Sequence, residues 1–88
     1  MNTGFRDSFV RDLRRITDQR VLTRVQAVIE AVEAANSLAE ISNLKKLRGA
    51  GDCYRVRVGD YRVGLVSRGE QATFVRCLHR KEIYRFFP

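Results

Sequence analysis

The sequence predicts an α+β fold: an N-terminal helical hairpin packed on one face of a small antiparallel β-sheet, in a single domain spanning residues 1–88. Three observations carry that expectation. Apolar residues as far as Val32 recur at helical spacings. From Cys53 onward the apolar period falls to two. Between them stands a turn-forming break, Gly49-Ala50-Gly51-Asp52.

Taken in order, the spacing of Phe5, Phe9, Leu13 and Ile16 predicts a first helix over residues 8–16, with Asp7 or Ser8 as its cap. A short strand ahead of it is an optional element, because only residues 1–6 are available. Asp18 is placed to cap a second helix, whose stripe Val21, Leu22, Val25, Val28, Ile29 and Val32 faces a core. The tight link at Thr17-Asp18 predicts that the two helices form an antiparallel hairpin. Asn36-Ser37 ends the second helix, and Leu38, Ile41, Leu44 and Leu47 punctuate a polar connector.

In the C-terminal half, Tyr54, Val56 and Val58 alternate with Arg55 and Arg57, and Gly59-Asp60 is a two-residue hairpin turn. Tyr61, Val63 and Leu65 then alternate with Arg62 and Gly64. A turn at Ser67-Arg68-Gly69-Glu70 leads to a third strand over residues 72–78. The tail with Ile83, Tyr84, Phe86 and Phe87 is apolar enough to fold back onto the sheet.

Charge narrows the function. Residues 1–44 carry six arginines and six acids, whereas residues 45–88 carry eleven Lys/Arg against four acids and hold the whole net charge of +7. A positive field confined to one half of a small domain fits a polyanion, nucleic acid first. The basic half does not read as an amphipathic helix, so a membrane surface is not the expected partner. Apolar runs are far shorter than the ~20 residues a bilayer span needs. Charges fall among the first seven residues without an apolar stretch, unlike a secretory signal, so a cytoplasmic location is expected. With no CxxC and a single histidine, His79, no metal site or cofactor is expected, and Cys53 and Cys77 read as reduced structural residues.

The hairpin turn fixes a register. Val58 faces Tyr61, Arg57 faces Arg62, Val56 faces Val63 and Arg55 faces Gly64. The apolar members then share the helix side, and Arg55, Arg57 and Arg62 share the other. Like charges opposed across a ladder cost about 0.2–1 kcal/mol per pair. A solvated sheet face is the plain alternative; the absence of a compensating acid on that side favours an anion site. Gly64, lacking a side chain, leaves room there for a ligand backbone. Arginine grips phosphate oxygens through its planar fork but does not shuttle protons. For metal-free RNA cleavage, Arg55, Arg57, Arg62 and Arg80 are therefore read as stabilising the transition-state charge, with His79 or Tyr84 handling protons. Tyr84 also suits base stacking, and Lys45, Lys46, Arg48 and Lys81 suit contacts to the RNA backbone.

The runs Leu44-Lys45-Lys46-Leu47-Arg48-Gly49, Tyr54-Arg55-Val56-Arg57-Val58-Gly59-Asp60-Tyr61-Arg62-Val63 and His79-Arg80 before Tyr84 resemble the RelE/ParE superfamily of type II toxin–antitoxin toxins, its RelE branch above all. The resemblance covers essentially the whole chain. It implies a ribosome-dependent mRNA endoribonuclease that cuts codons in the A site by attack of the 2′-hydroxyl. It also implies phosphate-binding roles for Arg55, Arg57, Arg62 and Arg80, a base-stacking or 2′-hydroxyl-orienting role for Tyr84, and an antitoxin partner with a DNA-binding end. His79 stands where family members carry histidine or lysine. Two departures stand out. Arginines occupy positions 55 and 57, where some members have lysine, so a general base is not expected there. The segment before Phe5 is shorter than the family's usual first strand. The alternatives are the gyrase-targeting ParE branch and a non-catalytic nucleic-acid-binding or degenerate toxin.

Overall fold

A computed structural model describes residues 1–49 and 51–88. They form β1 (Asn2–Phe5), α1 (Asp7–Arg15), α2 (Gln19–Ala34), a 3-10 turn (Leu38–Glu40), β2 (Leu44–Lys46), β3 (Cys53–Val58), β4 (Tyr61–Arg68), β5 (Gln71–His79) and α3 (Ile83–Phe86). The loop expected at Gly49-Ala50-Gly51-Asp52 includes Ala50, which lies outside the described residues. Gly49 and Gly51 on either side adopt φ of 65° and 58°, the left-handed region that glycine enters at no steric cost.

The α+β class holds, but the sheet is mixed rather than antiparallel. Five strands lie in the order β1-β5-β4-β3-β2. The optional N-terminal strand is present, and it runs parallel to β5, Asn2 opposite Gln71 and Phe5 opposite Phe74. Part of the expected connector is also a strand: Leu44, Lys45 and Lys46 pair with Val56, Arg55 and Tyr54.

The two long helices start differently. The Asp18 carboxylate accepts from the Arg20 backbone N–H at 2.9 Å and caps α2 as expected. At α1 the capping position is Arg6, with no side-chain cap. Ser8, expected there, instead donates its hydroxyl to the Val75 carbonyl at 2.6 Å. That contact belongs to a series. Arg6 N–H donates to Phe74 O at 2.9 Å, and the Cys77 N–H donates to Asp12 Oδ2 at 2.9 Å. Where β1 stops, α1 takes over the open edge of β5 and satisfies its backbone.

Phe9, Ile16, Val25 and Val32 from the helices meet Val56, Val58, Val63, Leu65, Phe74 and Cys77 from the sheet in one core. Each such fully buried side chain stabilises the fold by roughly 1.5–3 kcal/mol. Ile83 and Phe87 are equally buried but stand apart from that core: the tail folds back onto the sheet as expected, and the face it covers is the one away from the helices.

One irregularity decides which side chains share a face. The turn Gly69-Glu70 sets Arg68 opposite Gln71 and Leu65 opposite Phe74, but Gly64 then pairs with Arg76. Val75 is an extra residue, a β-bulge. Beyond it every β5 side chain exchanges sides relative to an unbroken ladder: Cys77 joins Val63 and His79 joins Tyr61 on the helix side. Among the described residues no helix is long and apolar enough to cross a membrane.

Candidate nucleic-acid interface

The register places Lys45, Arg55, Gly64 and Arg76 in one row across four strands, on the face away from the helices. The next row toward the β3–β4 turn is Arg57, Arg62 and Leu78. The hairpin pairing agrees with the sequence-derived register at every position, because the Gly59-Asp60 turn, with Gly59 at φ 59°, leaves no slack.

The three strand arginines are held by neutral oxygens. Arg55 Nη1 donates to the Asn43 carbonyl at 3.1 Å, and Arg57 Nη2 reaches Asn43 Oδ1 at 3.4 Å. Arg62 Nη1 donates to Gly59 O at 2.7 Å and Tyr61 O at 2.9 Å, bending back to the turn and away from Arg57 opposite. Arg55 Nε is buried and has no hydrogen-bond partner among the described residues. None of the three is paired with a carboxylate among the described residues. Carbonyl anchoring fixes a guanidinium without neutralising it, so the face keeps its charge for an anion. Arg80 is different: its Nε lies 3.9 Å from Asp60 Oδ1, a solvent-exposed contact worth little, and its backbone N–H donates to Asp60 O at 2.7 Å. It stands at the rim of the face beside the turn.

The room that Gly64 leaves is already filled. A Cβ built there would lie 2.7 Å from Phe87 Cδ2 and 2.9 Å from Cε2 and Cγ. The glycine admits the chain's own C-terminal ring, not a ligand backbone as its position suggests. The seated Phe87 forms part of a cleft of about 290 Å³ that also brings together Lys45, Lys46, Leu47, Arg48 and Tyr84. Tyr84 is 60% exposed there, so packing does not occupy its ring. Lys45 thus joins the arginine row through its pairing with Arg55, and the cleft beside it gathers Lys46, Arg48 and Tyr84 around Phe87.

His79 is not. It lies on the helix side, its ring edge-on to Tyr61 at 5.7 Å, in a separate pocket with Asp12, Arg15 and Glu82. Its Nδ1 accepts the Lys81 N–H at 3.2 Å. The expectation that His79 stands with the arginines is corrected, and the cause is the bulge at Val75. Lys81 itself is exposed in the turn that follows β5.

Asn43, Asp12 and Arg76 escaped the sequence reading. Asn43, at φ 62°, holds both Arg55 and Arg57; asparagine tolerates that conformation better than most residues. Asp12 is 4% exposed and grips Arg76 in two bonds, Nε–Oδ2 at 2.7 Å and Nη2–Oδ1 at 3.1 Å. That hydrogen-bonded carboxylate raises the Arg76 pKa further, against the opposing cost of partial burial. Asp12 was legible: three residues after Phe9 and four before Ile16, it sits on the apolar side of α1, where a carboxylate requires a partner. Cys77, 1% exposed, has its thiol pushed up to about 12, first by burial and then by the Asp12 charge. Cys77 and the half-buried Cys53 are both free.

Comparison with known proteins agrees with this architecture. Residues 4–84 match the family described as ParE toxin of type II toxin–antitoxin system, parDE. The chain is 38% identical to Toxin RelE3 of Methanocaldococcus jannaschii over 89 residues, covering 100% of both. It superposes with a TM-score of 0.82 on a chain of the RelB-RelE antitoxin-toxin complex from Methanococcus jannaschii, at 38% identity over 97% of this chain and 99% of that one. The isolated E. coli RelE toxin shares the fold at a TM-score of 0.64 and 15% identity, covering 98% of each chain.

Proposed function

Because the chain belongs to the RelE/ParE superfamily of type II toxin–antitoxin toxins, we propose that it is a RelE-like endoribonuclease that cleaves mRNA in the ribosomal A site without a metal. One observation carries this reading: Arg55, Arg57 and Arg62 lie on one sheet face, anchored by carbonyl oxygens rather than carboxylates. In the proposed reaction the 2′-hydroxyl attacks the adjacent phosphorus. Its proton leaves, the phosphorane gathers negative charge, and the 5′-oxygen departs and takes up a proton, leaving a 2′,3′-cyclic phosphate. Arg55, Arg57, Arg62 and, from the rim, Arg80 stabilise the charge on the phosphorane oxygens, with Lys81, Lys45, Lys46 and Arg48 along the RNA backbone. Tyr84, exposed in the cleft over Phe87, stacks on a base or orients the 2′-hydroxyl. With His79 on the far side, the proton steps fall to Tyr84. A cognate antitoxin as partner is supported by the RelB-RelE complexes among its structural relatives.

The test is cleavage of mRNA on programmed ribosomes. Cuts within the A-site codon are expected, surviving EDTA once ribosome integrity is controlled for. Arg62→Ala and Arg80→Ala should each lower the rate by about 10²–10³-fold, the loss typical of a transition-state donor. Activity lost in EDTA and restored by Mg²⁺ alone refutes the metal-free route. Undiminished cleavage in both variants refutes the site. Intact message with inhibited gyrase supercoiling selects the ParE activity instead, and salt-sensitive RNA binding without cleavage selects a binding module.

A further inference from the structure

Asp12 is the buried charged side chain of the described residues, and nothing in the chemistry above uses it. An ion pair of this kind contributes little stability beyond an apolar pair of the same volume. What it fixes is direction, because two parallel bonds lock the plane of the guanidinium. The Asp12 carboxylate binds Arg76 Nε and Nη2 at 2.7 and 3.1 Å, and the Cys77 N–H donates to the same carboxylate at 2.9 Å. The carboxylate is therefore itself immobilised against β5. The Cζ of Arg76 lies 5.6 Å from the centre of the Phe86 ring, within range of a cation–π contact.

Phe86 belongs to α3, a helix of four residues. One turn has no stability of its own, so its orientation comes from what it touches. Ile83 and Phe87 seat its inner side. Tyr84 and Phe86, 60% and 50% exposed, point outward, and the Phe86 ring is met by Arg85 of its own helix and by Arg76 of β5, each Cζ 5.6 Å from its centre, so that Arg76 is its tie to the sheet. Tyr84 makes no side-chain hydrogen bond among the described residues, so its direction is that of α3.

We propose that Asp12 is a positioning residue for Tyr84, acting through Arg76 and Phe86. The chain runs from α1, round the edge of β5, to the cleft on the opposite face. It rests on the RNA-face reading above. It also removes Arg76 from the pool of phosphate ligands, although that residue shares a row with Arg55: its charge is committed to Asp12.

Single-turnover cleavage of ribosome-bound mRNA tests this with Asp12→Asn, Phe86→Leu and Tyr84→Ala, alone and combined. Asp12→Asn and Phe86→Leu should each slow cleavage about 5- to 100-fold, the range a displacement near 1 Å produces, with mRNA affinity unchanged. Neither should cost anything further in the Tyr84→Ala background. Equal losses in both backgrounds, or full activity of Tyr84→Ala itself, overturn the proposal. A second readout is independent of cleavage. In 3-fluorotyrosine-labelled protein the Tyr84 resonance, assigned with Tyr84→Phe, should shift and broaden in both variants while that of Tyr54 stays in place. An unmoved Tyr84 resonance overturns the positioning role. Should the unsubstituted protein not cut mRNA, the nuclease reading fails and the fluorine spectrum still decides this one. Should Asp12→Asn not fold, Phe86→Leu, at a half-exposed site, carries both measurements.

Discussion

Replacing Gly64 with alanine tests whether the C-terminal ring is an integral part of the sheet. Gly64 lies inside β4 without a left-handed φ, so alanine is compatible with its backbone. On an open strand such a change stabilises by about 0.4–1 kcal/mol by restricting the unfolded chain. Here the added Cβ falls 2.7–2.9 Å from three atoms of the Phe87 ring, closer than carbon atoms approach. The ring must move, and Phe87, at 2% exposure, has little slack. Overpacking of this kind costs about 1–3 kcal/mol; releasing the ring to solvent costs a similar amount in lost burial. The net effect is thus a destabilisation of about 1–2 kcal/mol, equivalent to a Tm lower by roughly 4–16 °C in a domain of this size. The diagnostic is a double-mutant cycle by urea unfolding. In a Phe87→Ala background the obstruction is gone, and Gly64→Ala should become neutral or stabilising, a change of sign. Equal destabilisation in both backgrounds would refute the account of the Gly64–Phe87 contact.

Asn43→Ala should lose about 1–2 kcal/mol, because alanine resists the left-handed backbone at φ 62°, whereas Asn43→Gly should stay within about 0.5 kcal/mol of the parent; equal urea midpoints for the two remove the backbone explanation. The Cys77 thiol, held neutral up to about 12 by burial, makes stability pH-dependent. Above the ordinary value of 9.0 the unfolded chain gives up this proton while the folded one keeps it. Stability is therefore fully present below pH 9 and falls by roughly 1.4 kcal/mol per pH unit as pH climbs toward 12. Urea midpoints at pH 8, 9.5 and 10.5 should show that extra slope relative to Cys77→Ala; parallel slopes contradict it. At pH 8 a thiol reagent should label the half-buried Cys53 in the folded protein and reach Cys77 only on unfolding.

The parts of the fold that follow from neighbouring residues were legible in the sequence. The two-residue turn at Gly59-Asp60 and the alternation around it determine the β3–β4 register and the shared side of Arg55, Arg57 and Arg62. Asp18 announces the start of α2. What depends on distant partners was not. β1 owes its extended form to residues 71–74 at the far end of the chain, and β2, three residues long, is too short to show a period. Phe87 and Gly64 each look ordinary alone; only the folded chain brings a ring to a position without a side chain. His79 shows the limit most clearly. An unbroken ladder from the Gly69-Glu70 turn places it on the arginine side, and no local signal in Phe74-Val75-Arg76 marks the extra residue that moves it.

That extra residue has a consequence for reading relatives of this chain. Sequence alignment matches letters, whereas a bulge acts as a parity switch: one inserted or deleted residue between Leu65's partner and the strand end exchanges what solvent sees for what the interior sees. Two proteins with the same histidine at the same aligned column can therefore present it to opposite surroundings, one to bound RNA and the other to α1. Transferring a catalytic role across such a pair requires counting residues along both strands from the turn, not merely finding the matching side chain.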